Sequence, residues 1–249
     1  MATNDLEAAR QVLADARRIV AFTGAGISTD SGIPDLAGIE RILRAEPDFH
    51  GGGFTMLDPD FAQREPAVFY HLYRQTFFHP QAQPNAAHRF LAQLARQGLL
   101  AGIVTMNIDG LHQRAGSQHV IEYWGDMRLN RCVQCQRCYD WDLAVHQPVP
   151  HCPICGGLVL PDFVLRRLAA YSDAEWAGEH LLQSADAILI IGTQRQAASF
   201  PDGTPKIVVN QRAQPVRGRD TVMLTGNAAE ICRQLATNLT DDQVQAPMS

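Results

Sequence analysis

The stretch Arg18-Ile-Val-Ala-Phe-Thr-Gly-Ala-Gly-Ile-Ser28 decides the fold. Its first six residues form a short apolar run, which reads as a buried strand. Glycines at 24 and 26 follow at once. Strand, glycine turn, then helix is the order that a phosphate-binding βα unit needs, because the N–H groups of the turn face the anion. Gly24-x-Gly26 lacks the third glycine of the dinucleotide fingerprint, so the weight falls on the rest of the chain.

Working outward, Leu6, Ala9, Leu13 and Ala16 recur at helical spacing over residues 5–17. Residues 38–79 read as mostly helical, with a flexible loop at His50-Gly-Gly-Gly-Phe54. Ala87, Phe90, Leu91 and Leu94 mark one face of a helix over 85–97, and residues 99–105 form the next strand. A short strand, Val120-Ile-Glu-Tyr-Trp-Gly125, brings Trp124 to the same sheet edge. A helix over 173–184, strands at 187–192, 206–210 and around Val222, and a helix over 228–239 complete the pattern. The polar tail after Thr240 reads as frayed. Strands alternating with helices predict an α/β fold with a doubly wound, Rossmann-like parallel sheet.

Composition narrows the function classes. The chain has 249 residues, 46% of them hydrophobic, and a net charge of −5 without a basic patch. Neither a nucleic-acid partner nor a membrane is expected. The start, Met1-Ala-Thr-Asn-Asp-Leu-Glu7, lacks a secretory pattern, so a cytoplasmic protein is expected.

Two features carry chemistry. Val104-Thr-Met-Asn-Ile-Asp-Gly-Leu-His112 is a buried strand entering a polar turn, and ligands bind at such strand ends in parallel sheets. Asn107 and Asp109 emerge there, although Asp109 also suits a turn scaffold. Second, residues 131–157 hold Cys132-x2-Cys135 and Cys152-x2-Cys155, the spacing of a closed, structural four-cysteine zinc site. Cys138 offers a second register with Cys135, but it leaves a shorter gap, which favours 132 and 135.

Taken together, Gly24-Ala-Gly-Ile-Ser-Thr-Asp-Ser-Gly-Ile-Pro-Asp35, Asn107-Ile-Asp-Gly-Leu-His112, the cysteine insert, Gly192-Thr193 and Asn210 resemble the sirtuin family of NAD-dependent protein deacylases. The resemblance covers roughly residues 5–240. It implies a discontinuous NAD-binding domain over 1–35, 80–125 and 160–249, with a small domain of helical and zinc modules over 36–79 and 126–159. NAD would lie between them. By similarity, Gly24, Ala25, Gly26 and Ser28 would hold the diphosphate. Asp35, Met106, Asn107 and Asp109 would line the nicotinamide–ribose end. Gly192, Thr193, Asn210, Gly226 and Ala228 would hold the adenosine half.

The chain departs from the family where the chemistry should be. The family's general base is the His of a His-Gly pair, and here the pair is Trp124-Gly125. Indole N–H donates a hydrogen bond but accepts no proton at neutral pH. His112 and His119 are poorly placed to replace it, and Glu122 should share the face of Trp124 if the segment is extended. The family's Pro-Asp-Phe-Arg reads Pro34-Asp35-Leu36-Ala37, its Gln before the Asn is Met106, and its Gly-Thr-Ser reads Gly192-Thr193-Gln194. Its Phe-Gly-Glu, which helps form the acyl-lysine channel, reads Arg166-Arg167-Leu168, and Arg195–Phe200 lacks the usual apolar and proline residues. The expectation is a divergent sirtuin that binds NAD or an NAD-like molecule. It would hydrolyse NAD or transfer ADP-ribose to an unknown acceptor, using Asn107 and Asp109 beside Trp124, with lysine deacylation impaired or lost. A catalytically inactive NAD- or ADP-ribose-binding protein is the first alternative, and a deacylase with an atypical base is the second.

Overall fold

The computed structural model describes residues 3–47, 49–215 and 220–237. Nine strands form two sheets among these residues. They are β1 (Ile19–Thr23), β2 (Leu100–Thr105), β3 (Val120–Glu122), β4 (Asn130–Cys132), β5 (Cys138–Tyr139), β6 (Val159–Pro161), β7 (Ala187–Ile191), β8 (Lys206–Asn210) and β9 (Thr221–Thr225). The larger sheet has six strands in the order β3-β2-β1-β7-β8-β9, all parallel. The smaller is an antiparallel sheet of three strands, β5-β4-β6. This is the expected doubly wound fold with a small zinc-type module.

Alternation along β1 explains why helices cover both faces of the sheet. Ile19 and Ala21 point into a core shared with Leu13 of α1 (Thr3–Asp15), and β2, β7 and β8 add Ile103, Leu189 and Ile207. Val20 and Phe22 point the other way, onto Ile188, Ile190, Val208, Leu182 and Phe200. The helices α2 (Leu36–Ala45), α3 (Gly53–Met56), α4 (Pro59–Arg64) and α5 (Pro66–Thr76) build a separate aromatic core around Phe69, Tyr70 and Tyr73.

The first face of the sheet is completed by α6 (Ala86–Arg96), whose Leu91 and Leu94 enter that core. The short α7 (Leu111–Arg114) follows β2, α8 (Asp142–His146) lies between the cysteine pairs, and α9 (Asp162–Leu165) follows β6. On the second face, α10 (Ser172–Gln183) contributes Leu181 and Leu182, and α11 (Ala228–Ala236) contributes Ile231 and Leu235 to the first. The tail read as frayed, and the end of the helix expected to reach residue 239, lie outside the described residues.

Three local expectations are corrected. The loop at His50–Phe54 is partly helical, because Gly53–Met56 forms a turn whose first N–H is capped by the Glu40 carboxylate at 2.9 Å. No α-helix follows the glycine turn directly. Ala25–Ile27 and Thr29–Ser31 are single 3₁₀ turns, Gly32 sits at φ +84°, and the helix waits for the Asp35 cap beyond Pro34. Finally, β3 ends at Glu122, so Tyr123 and Trp124 sit in a turn rather than a strand.

Candidate active site and metal centre

The sheet order reverses at β1, whose neighbours β2 and β7 are reached by chains leaving in opposite directions. Open α/β sheets place ligands at the carboxyl end of such a switch point. Here the loops after β1 and β7 meet backbone to backbone. Gly24 N–H donates to the Ile191 carbonyl at 3.0 Å and Gly26 N–H to the Gly192 carbonyl at 2.8 Å. A Cβ on Gly192 would lie 2.2 Å from the Ile27 nitrogen, and its φ is +65°. Glycine is required there by both space and conformation.

A cavity of about 1340 Å³ opens above this contact. Every residue assigned from sequence to the nucleotide or the chemistry lines it: Gly24, Ala25, Gly26, Ser28, Asp35, Met106, Asn107, Asp109, Trp124, Gly192, Thr193, Asn210, Gly226 and Ala228. The volume exceeds the roughly 300–1,000 Å³ of ordinary small-molecule pockets, which leaves room for a dinucleotide and an acceptor.

Ser28 is the hub of the floor. Its hydroxyl donates to the Asp109 carboxylate at 2.6 Å and accepts from Asn107 Nδ2 at 3.2 Å. Asn107 Nδ2 also reaches the Gly24 carbonyl at 3.3 Å. The other oxygen of Asp109 accepts the Leu111 N–H at 2.9 Å, which starts α7. Asp109 is buried, and burial pushes its carboxyl pKa up despite these donors. Below it, Thr23 donates to Thr105 at 2.8 Å and meets His112 Nε2 at 2.9 Å. His112 is fully buried, and its Nδ1 finds no partner. It belongs to the scaffold beneath the cleft.

At the other end, the Thr193 carbonyl accepts Asn210 Nδ2 at 3.0 Å and Gln214 Nε2 at 2.8 Å. Gly226 N–H donates to the Asn210 carbonyl at 2.9 Å, which brings the start of α11 to the rim. Asp35 both lines the cleft and caps α2, accepting the Gly38 N–H at 2.8 Å.

No histidine is among the residues that line this cavity. His119 hangs outside, bound to the Ala101 carbonyl at 2.7 Å. Glu122 does not share the cleft with Trp124, because the strand stops there and Tyr123 takes the inward place. Trp124 is half-buried and packs against both the sheet core and the aromatic core. Arg166, Arg167 and Leu168 do not line the cleft. Arg166 instead donates to the Trp124 carbonyl at 2.7 Å.

Sequence reading missed a polar cluster in the wall. Tyr123 Oη donates to Glu179 at 3.1 Å, and Arg195 donates to the same carboxylate oxygen at 3.2 and 3.3 Å. Its members come from three distant segments, so no spacing announces it. Trp176 also lines the cleft and is 66% exposed, an unusual place for an indole.

The metal centre is compact. The sulfurs of Cys132, Cys135, Cys152 and Cys155 lie within 4.8 Å of one another, with contacts of 3.5 and 3.7 Å. Tetrahedral zinc with Zn–S bonds of about 2.3 Å needs sulfurs about 3.8 Å apart, so the four side chains fit that ion. Cys138 stays outside the cluster, as the preferred register requires. No described helix is long and apolar enough to cross a membrane.

Comparison with known proteins agrees. The Sir2 family profile matches residues 24–199. A NAD-dependent protein deacetylase of Cutibacterium acnes is 41% identical over 175 residues, covering 70% of this chain and 71% of that protein. One from Clostridium tetani is 30% identical over 230 residues, covering 89% and 93%. A solved sirtuin superposes with a TM-score of 0.78 at 30% identity, over 95% of this chain and 98% of that one. A Sir2 protein solved with a p53 peptide and NAD+ gives 0.74 at 31%, over 92% and 96%. The chain belongs to the sirtuin (Sir2) family. Sirtuins use NAD, and the four-cysteine cluster is that of a structural zinc.

Proposed function

We propose that this sirtuin binds NAD in the cleft and breaks its nicotinamide–ribose bond, delivering the ADP-ribosyl group to water or a small acceptor, with lysine deacylation lost. The observation that carries the reading is the composition of the cleft wall: Asn107, Asp109, Asp35 and Trp124 line it and no histidine does, Trp124 being the residue that the resemblance aligns with the family's base. NAD is a substrate here and supplies nicotinamide as the leaving group, which departs with the electron pair of the broken C–N bond. Asp35 and Asp109 offset positive charge that builds on the ribose, and Asn107 holds the incoming oxygen. Water becomes acidic only as its C–O bond forms, so a strong base is not needed beforehand. In this reading residues 36–79 and 126–159 form the small domain and the rest forms the NAD domain.

Chromatographic measurement of nicotinamide and ADP-ribose released by the purified protein tests this. We expect steady release by wild type and loss of about tenfold or more in Asn107→Ala, as for removal of one positioned polar group. A flat trace for both would sink the proposal.

A second reading, an inactive NAD- or ADP-ribose-binding protein, has its own support. The side chains of Asn107 and Asp109 are already engaged with Ser28, Gly24 and Leu111. Calorimetric binding of ADP-ribose without turnover is its signature. Protein deacylation, the activity named for the relatives, is disfavoured because indole cannot act as the base.

A further inference from the structure

One hydrogen bond links a residue of the cleft to a residue of a second cavity. Trp124 lines the cleft, and a second cavity of about 470 Å³ is lined by Arg131, Asp162, Leu165, Arg166 and Tyr171, among others. Trp124 of the first and Arg166 of the second are joined directly: the guanidinium donates to the Trp124 carbonyl at 2.7 Å.

Arg166 is not free to swing. Its Nε donates to Asp162 at 2.9 Å, its Nη1 donates to the Ala169 carbonyl, and its guanidinium carbon lies 3.7 Å from the centre of the Tyr171 ring. Asp162 is buried, and it also accepts Tyr171 Oη at 2.7 Å and Arg131 Nε at 3.0 Å. Arg167 and Leu168 hold left-handed backbone, at φ +54° and +57°, so the chain turns sharply back after Arg166. The Tyr171 N–H then donates to the Tyr123 carbonyl at 3.0 Å. Two successive carbonyls of the Tyr123–Trp124 turn are thus held from behind. Gly125 is packed under the same pair: a Cβ there would lie 3.0 Å from Tyr171 and 3.3 Å from Arg166.

We propose that Arg166 is a positioning residue that sets the size of the acceptor. By fixing the Trp124 turn it holds the cleft wall closed on the side of the second cavity, so water and small acceptors reach the cleft while an extended side chain is excluded. A planar guanidinium with fixed, charge-assisted partners is a strong seal, and a lysine there would not reproduce the fork. The proposal rests on the reading that the cleft transfers an ADP-ribosyl group, and its test is read by binding rather than turnover.

The test is fluorescence anisotropy of a fluorescein-labelled peptide carrying ε-acetyl-lysine, with the zinc-loaded protein and saturating ADP-ribose. We expect no saturable binding to wild type. Arg166→Ala should bind the peptide at least about tenfold better, the effect of one charge-assisted hydrogen bond, while ADP-ribose affinity stays within about twofold. Arg166→Lys, which can still reach the Trp124 carbonyl, should fall between the two. Peptide binding by wild type as tight as by Arg166→Ala overturns the proposal, and so does a folded Arg166→Ala that binds none. If both variants lose their melting transition and ADP-ribose binding, Arg166 serves the fold and the proposal fails. Failure of NAD turnover in wild type, by contrast, touches only the proposed function.

Discussion

The Ser28 hydroxyl donates to the Asp109 carboxylate at 2.6 Å, and both groups are buried. This one bond joins the loop after β1 to the turn after β2, and Asn107 is tied in through the same hydroxyl. Removing it in Ser28→Ala leaves a buried carboxylate short of a donor. The expected cost is about 1–3 kcal/mol in urea denaturation, with weaker ADP-ribose binding. Asp109→Asn keeps an acceptor for Ser28 but removes the charge that burial opposes. It should therefore be as stable as wild type or more so, while NAD turnover falls. Parallel losses of stability and turnover in Asp109→Asn would make Asp109 a scaffold residue only.

Two buried groups set opposite pH slopes. Burial, and then Asp126, pushes the Glu122 carboxyl from 4.5 up to about 7. Burial, and then Arg89, pushes the His88 imidazole from 6.5 down to about 4. Between pH 4.5 and 6.5 the unfolded chain has released the Glu122 proton that the folded one keeps, so this group lowers stability as pH rises. Over the same interval the unfolded chain holds a His88 proton that the folded one lacks, so this group raises stability with pH. Each slope is at most about 1.4 kcal/mol per pH unit, and partial solvation reduces that of Glu122. Glu122→Gln should therefore gain about 1–2 kcal/mol over wild type across that window, read from urea midpoints. Curves that stay parallel would show that Glu122 does not titrate there.

Much of this fold is legible in the sequence because its strands are buried on both faces. Runs such as Ile19–Thr23 and Ala187–Ile191 carry no polar interruption, and Gly24 and Gly192 mark where each ends. The cysteine spacing likewise states its own geometry. What could not be read are contacts between segments far apart in the chain. The substitution at Arg166 reads as a loss of family character, whereas in space its guanidinium donates a hydrogen bond to Trp124, 42 positions away. Its one local hint is Asp162, four residues earlier on the same helical turn. Strand alternation gives Glu122 and Trp124 a shared face, and it fails there because pairing with β2 ends at Thr105–Glu122.

Zinc should govern thiol reactivity in a defined order. Cys138 is exposed and outside the cluster, four sulfurs face one another, and Cys232 is buried with its pKa pushed up to about 12. In the zinc-loaded protein a thiol reagent should modify Cys138 first. A chelator should then release the four ligand thiols together, and Cys232 should react only on unfolding. Cys132 and Cys152 also form the centre of the small module's core, so its ellipticity and melting temperature should fall with the metal. Release of fewer than four thiols would contradict a four-cysteine site.

Gly192→Ala tests the backbone contact that shapes the nucleotide end. The new methyl would meet the Ile27 nitrogen at 2.2 Å with φ held at +65°. Overpacking against backbone costs about 1–3 kcal/mol or more, and here the only relief is to part the two loops. Lower melting temperature together with loss of ADP-ribose binding is expected. Unchanged affinity would mean that the loops can separate without harm to the cleft.

Trp124→His asks whether the missing base is the only barrier to deacylation. The imidazole restores a proton acceptor at the family position, but it leaves Arg166 bound to the same backbone carbonyl, since that bond does not involve the side chain. The cleft wall behind the turn should therefore stay closed. Acetyl-lysine removal, followed by mass spectrometry of a peptide, should remain at background. Because the indole fills space between two cores, stability should fall by about 2–3 kcal/mol, below the range for a fully buried Trp. Combining Trp124→His with Arg166→Ala should then bring deacetylation above background, because base and access are supplied together. Robust activity in Trp124→His alone would show that the cleft already admits an acyl-lysine and that Arg166 does not hold it out.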